Sequence, residues 1–117
     1  MVTWRAFQLK EYDLIVIGTG SAMNMVSTLL QEYPKMKIAV ADKDEPGGIC
    51  LTRGCIPSKM LLYPAELMRT IGRAGELGID AEVKKVDFLR IMQRMRASIS
   101  AEINQIREGL SHSENLD

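Results

Sequence analysis

Apolar and polar positions fall into separate blocks along the chain. Tyr12-Asp13-Leu14-Ile15-Val16-Ile17 is a nearly continuous aliphatic run ending in Gly18, the pattern of a strand buried on both faces of a parallel sheet. Met23, Val26, Leu29 and Leu30 then recur at helical spacing until Pro34, which predicts a helix of about four turns. Lys37-Ile38-Ala39-Val40-Ala41 reads as a second strand. Together these form a β-α-β unit whose crossover is expected to be right-handed.

From Asp44 to Arg53 the pattern is loop-like, because Pro46-Gly47-Gly48 argues against a regular element. Helical spacing returns after Pro57 with Met60, Leu61, Leu67, Met68 and Ile71. Pro64 is expected to kink this helix near Met60, and Gly72, Gly75 and Gly78 to end it. A last helix is predicted over 87–109, with Asp87 as N-cap and an apolar stripe of Phe88, Met92, Met95, Ile99, Ile103, Ile106 and Leu110. That stripe fits a core-facing surface or a coiled-coil seam for a partner. The fold class is α/β, a parallel sheet with flanking helices.

The 117 residues, 46% hydrophobic and 26% charged, suit one globular domain. Fifteen basic against fifteen acidic side chains give a formal net charge of zero, so no long-range field recruits nucleic acid or a membrane surface, and neither is expected as a partner. Lys84, Lys85, Arg90, Arg94 and Arg96 are diluted by Glu82, Asp87 and Glu102, which reads as a solvated face. The longest apolar run, Leu14–Ile17, is far short of a membrane span. Residues 1–8 lack the pattern of a secretory signal, so a cytoplasmic location is expected. In a reducing compartment the two cysteines, Cys50 and Cys55, read as reactive rather than structural.

Gly18-Thr19-Gly20 joins the first strand to the first helix. Such a turn brings backbone N–H groups at a helix N-terminus toward an anion, the usual seat of a dinucleotide pyrophosphate. Met23 replaces the third glycine of G-x-G-x-x-G, and is expected to hold the helix farther from the sheet. Asp42 ends the second strand, where a carboxylate accepts ribose hydroxyls and repels a 2′-phosphate. This favours FAD or NAD over NADP.

The stretch from Gly47 to Lys59 carries the densest chemistry. A closed zinc site would need two further ligands, the one histidine, His112, lies in a polar tail, and C-x-x-C is absent. What remains is a dithiol on a glycine-flanked turn entering a helix, where the helix dipole is expected to lower thiol pKa.

This stretch, G-G-I-C-L-T-R-G-C-I-P-S-K over Gly47–Lys59, closely resembles the active-site line of the class I pyridine-nucleotide disulfide oxidoreductases. The group includes dihydrolipoamide dehydrogenase, glutathione reductase, mercuric reductase and mycothione reductase. The resemblance implies a Rossmann-like FAD-binding domain. It makes Cys50 the interchange thiol, Cys55 its flavin-facing partner in a reversible disulfide, and Lys59 a charge beside the flavin. It also implies cofactor contacts from Gly18, Gly20, Ser21, Asp42, Lys43, Gly48 and Lys59.

Relatives are homodimers several times longer, with an NAD(P)-binding domain and a dimerisation domain carrying a histidine to which His112 does not correspond. The chain is therefore expected to be an N-terminal extension (residues 1–10) followed by the N-terminal part of an FAD-binding domain (residues 11–117), inactive alone and prone to self-association. Dihydrolipoamide dehydrogenase is the first expectation for the parent, acting on a small-molecule or lipoyl-protein dithiol or disulfide. Mercuric reductase, mycothione reductase and a flavin-free dithiol or interaction module are the alternatives.

Overall fold

Two short parallel strands organise the structure, a computed structural model that describes residues 9–117. β1 (Leu14–Ile17) pairs with β2 (Ile38–Ala41) in the register Leu14 opposite Ile38 through Ile17 opposite Ala41. Both strands are aliphatic and free of proline, which suits a ladder needing every N–H. At the entry to the pair, the Asp13 N–H donates to the Lys37 carbonyl at 2.9 Å, and the Lys37 N–H donates to Asp13 Oδ2 at 2.8 Å. Of the expected N-terminal extension over residues 1–10, all but Leu9 and Lys10 lies outside the described residues.

α1 (Met23–Glu32) connects the strands, with Val26 buried beneath it. Its ten residues make fewer than three turns, shorter than the expected four, because residues 20–22 are used by the turn that leaves β1. The far edge of β2 is also occupied. Ile38 N–H donates to the Asn115 carbonyl, Val40 N–H to the Asp117 carbonyl, and Asp117 N–H to the Ile38 carbonyl, at 2.9, 2.9 and 3.1 Å. Residues 115–117 thus run parallel to β2, forming a single bridge between Ile38 and Leu116.

Between β2 and that return lie α2 (Gly48–Thr52), α3 (Cys55–Gly72), a 3-10 turn (Ala74–Leu77) and α4 (Phe88–Ser111). The segment read as loop from Asp44 to Arg53 therefore contains a helix. Gly47 and Gly48, both with positive φ, turn the chain sharply and so start α2 instead of preventing it. Leu51 buries itself beneath it, and Thr52 Oγ1 donates to the Gly48 carbonyl at 2.8 Å.

α3 begins at Cys55, two residues before the predicted restart, and Pro57 sits in its first turn, where a missing N–H has no partner to lose. α3 then continues unbroken through Pro64. α4 has the expected N-cap, with Asp87 Oδ1 accepting the Arg90 N–H at 3.0 Å. Its stripe faces this chain's own core at Met95 and Ile99, both buried, while Phe88 at the tip is exposed.

The core is thin: Ile38 is the one large side chain among the described residues that is fully buried. The radius of gyration is 22.1 Å, against roughly 13 Å for a compact domain of about 100 residues, because α3 and α4 extend away from the sheet as a helical pair. The expectation that β1 is covered on both faces is not met among the described residues. Leu14 and Val16 are half-buried, whereas Ile15 and Ile17 remain 63% and 87% exposed. Among the described residues no helix is long and apolar enough to cross a membrane. The arrangement is a partial Rossmann-like α/β unit.

Candidate functional site

At the carboxyl end of the strands the turn Gly18-Thr19-Gly20 meets Asp42 and the start of α2. The Gly18 N–H donates to the Ala41 carbonyl at 2.7 Å, which fixes the turn to the end of β2. Beyond it the N–H groups of Met23, Asn24 and Met25 close onto the carbonyls of Gly20, Ser21 and Ala22 at 3.0–3.2 Å. The donors that precede these at the N-terminus of α1 have no helical partner.

Thr19 is buried, and both its N–H and its hydroxyl are hydrogen-bonded. Its N–H and its hydroxyl both donate to Asp42 Oδ2, at 2.7 and 2.5 Å, and its Oγ1 accepts the Gly47 N–H at 3.0 Å. Asp42 Oδ1 accepts the Asp44 N–H at 3.2 Å. The Thr19 hydroxyl, then the N–H groups of Thr19 and Asp44, hold the Asp42 carboxyl down at about 2, so it is a carboxylate throughout the neutral range.

Gly20 and Gly48 bring two backbones together. A Cβ on Gly48 would lie 2.6 Å from Gly20 Cα, and Gly48 itself has φ +68°. A cavity of about 240 Å³ opens here, lined by Gly18, Thr19, Gly20, Asp42, Lys43 and Gly48 together with the Asp44–Arg53 pair. The Asp44 carboxylate and Arg53 guanidinium are 2.7 Å apart.

The thiols sit at the junction of α2 and α3. Cys50 is the third residue of α2 and Cys55 the first of α3, and both are exposed. Gly54 lets these two short segments approach: a Cβ there would be 2.8 Å from the Ile49 carbonyl oxygen and 3.2 Å from Cys50 Cα.

The neighbouring Cys55 side chain, then desolvation and the Cys55 charge, push the Cys50 thiol up, against weaker opposing effects of the Cys55 N–H and the Lys59 charge. The expected lowering by a helix dipole is thus reversed at Cys50. A five-residue helix supplies little dipole, and the neighbouring Cys55 side chain outweighs it.

Of the predicted residues, Gly18, Gly20, Asp42, Lys43 and Gly48 converge on one cavity. Cys50, Cys55 and Lys59 form a second group beside it, and Lys59 is close enough for its charge to act on Cys50. Ser21 lies on the turn but does not line the cavity; its carbonyl accepts the Asn24 N–H. Thr19 and the Asp44–Arg53 pair were not singled out from sequence. The signal available for Thr19 was a hydroxyl residue between two glycines at a strand end, with a carboxylate 23 residues on. Among the described residues no cluster of three or more His, Cys, Asp or Glu could hold a metal ion.

No protein-family model matches the chain. Curated relatives do. It is 33% identical over 102 residues to dihydrolipoyl dehydrogenase of Bacillus subtilis (strain 168), covering 87% of this chain and 20% of that protein. It is 36% identical over 87 residues to mycothione reductase of Mycobacterium tuberculosis (strain ATCC 25618 / H37Rv), covering 74% of this chain and 18% of that protein.

Among solved structures, the Cu(II) complex of the HOCl-induced flavoprotein disulfide reductase RclA from Escherichia coli superposes with a TM-score of 0.69 at 23% identity. The match covers 93% of this chain and 21% of that one. The fold agrees with these matches. The chain belongs to the flavoprotein disulfide reductase family and spans about one fifth of the length of the relatives it matches.

Proposed function

We propose that this chain is the flavin-and-disulfide segment of an FAD-dependent dithiol–disulfide oxidoreductase, with lipoyl dithiols as the substrate class. The observation that carries the reading is the juxtaposition of two exposed cysteines, at the closely approaching ends of α2 and α3, with a glycine-lined cavity at the carboxyl end of a parallel sheet. Residues 11–117 then act as the N-terminal part of an FAD-binding domain working in the reducing cytoplasm.

The cavity suits a dinucleotide on its own geometry. Gly20 and Gly48 leave no side chain between the turn and an incoming phosphate, the N-terminus of α1 offers donors, and Asp42 is an ionised acceptor for ribose. Gly18, Gly20 and Gly48 would hold the pyrophosphate, Asp42 and Lys43 the adenosine side, and Lys59 the ring end. Bound FAD would supply the two-electron exchange that links the dithiol to a nicotinamide.

The chain's own step is thiol–disulfide exchange. Cys50 loses its proton to solvent and its sulfur attacks a substrate disulfide. A Cys50–substrate bond forms as one substrate thiolate leaves. Cys55 sulfur then attacks Cys50 Sγ, closing the Cys50–Cys55 disulfide and releasing the second thiolate. Two electrons pass from chain to substrate, and the reverse sequence oxidises a dithiol. Lys59 eases the first ionisation through its charge.

Trapping tests the assignment. The Cys55→Ser chain incubated with oxidised lipoamide is expected to gain one covalent lipoamide at Cys50, releasable by reductant, because the second attack is removed. A chain that gains no adduct, or gains it only at Cys55 in the Cys50→Ser variant, contradicts the proposed roles. Similarity to mycothione reductase makes a mycothiol-type disulfide the competing substrate, and preferential trapping of that disulfide would select it.

A further inference from the structure

Thr19 is the one buried polar residue among the described residues, and a buried hydroxyl must be satisfied. The direction of its bonds is fixed by chemistry. The Gly47 N–H can only donate, so Thr19 Oγ1 accepts there, and its single proton is left for Asp42 Oδ2. Segments around residues 19, 42 and 47 therefore meet on one oxygen atom.

Gly47 is the residue that caps α2, and Cys50 lies three residues farther on the same short helix. Gly20, next to Thr19, is in backbone contact with Gly48.

We propose that Thr19 is a positioning residue that couples the dinucleotide turn to the thiol pair, holding the cap of α2, and through it Cys50, in register with the Asp42 carboxylate. The proposal deepens the flavin–disulfide reading and rests on it. Removing the hydroxyl frees the Gly47 N–H, loosens α2 against the turn and shifts Cys50 away from Cys55, the neighbour that holds its thiol up.

The test uses the full 117-residue chain with Thr19→Ala, Thr19→Ser and, as a core control away from the site, Val26→Ala. Alkylation of Cys50 by iodoacetamide is followed by peptide mapping. Losing one neutral hydrogen bond corresponds to about a fivefold change in population. Thr19→Ala is expected to speed Cys50 alkylation about fivefold, on the same scale. Thr19→Ser should restore the original rate, and Val26→Ala should leave it unchanged.

A Thr19→Ala rate equal to the parent rate overturns the proposal, as does an equal acceleration in Val26→Ala, which would mark general loosening. If Thr19→Ala does not fold, amide exchange decides: the Gly47 amide should be protected in the unmodified chain and in Thr19→Ser, and unprotected exchange in both overturns the proposal. ADP, used as the probe for the cavity, separates this inference from the function it rests on. If ADP leaves the amides of residues 18–20 unmoved while Thr19→Ala still accelerates Cys50, the dinucleotide reading fails and the Thr19 coupling stands.

Discussion

Replacing Gly48 by alanine adds one methyl group at the point where the dinucleotide turn and the thiol-bearing helix touch. Two costs are expected. Gly48 has φ +68°, and a residue with a Cβ in the left-handed region is disfavoured by roughly 1–2 kcal/mol. The new Cβ would also lie 2.6 Å from Gly20 Cα. Since that neighbour is backbone, relief requires the turn or α2 to move, and overpacking of this kind costs about 1–3 kcal/mol. The sum is a loss of about 2–5 kcal/mol.

Gly72→Ala is the matched control, because Gly72 ends α3 without positive φ and a Cβ there meets nothing within 4 Å. It should be neutral or stabilise by about 0.5–1 kcal/mol. Urea unfolding followed by circular dichroism reads both. With a slope of roughly 1–3 kcal/mol per M for small proteins, Gly48→Ala should lower the midpoint by about 1 M or more. A Gly48→Ala midpoint indistinguishable from the parent's would refute the close approach of the turn and α2.

Three further outcomes follow from the same geometry. Ile38, fully buried between β1 and the returning residues 115–117, should cost about 2–5 kcal/mol as Ile38→Ala in the same urea assay. Asp42 has a folded pKa of about 2, below its ordinary value of 3.8. A depressed carboxylate stabilises the fold above the unfolded value and loses that contribution as pH falls through the folded one, so acid titration should show a loss between about pH 4 and pH 2. Thr19→Ala should shrink that loss. Gly54→Ala should separate α2 from α3, since its Cβ would press on the Ile49 carbonyl and Cys50; the measurable result is slower closure of the Cys50–Cys55 disulfide under a fixed glutathione ratio.

The strands and α4 could be read from sequence because local pattern and tertiary environment agree there. An aliphatic run ending in glycine gave β1, and Asp87 capped α4 three residues before Arg90. α2 could not be read in that way. Its five residues begin with one glycine and are capped by another, and what holds it is tertiary: Leu51 in the core, and the Gly47 N–H on a threonine 28 residues away. The exposure of Ile15 and Ile17 was equally hidden, since an aliphatic run records what a strand can bury and not what lies over it.

At the site, the convergence of the glycines and Asp42 on one cavity was legible because a tight turn between strand and helix demands residue types at fixed spacing. The rise of the Cys50 thiol was not, because it depends on the orientation of the Cys55 sulfur. Thr19 escaped notice because the G-x-G pattern leaves its middle position free, and only the fold reveals that this position is buried against Asp42.

The central claim is that Cys50 and Cys55 are a redox pair built into the junction of α2 and α3. Quantitative alkylation with intact-mass detection tests it most directly, on chain equilibrated with oxidised and reduced dithiothreitol across a range of ratios. The account predicts one reversible two-electron transition from two alkylatable thiols to none, with the mass of a single chain retained and Cys50 linked to Cys55. Two thiols that stay alkylatable under oxidising ratios, or oxidation only through disulfides between chains, would contradict it.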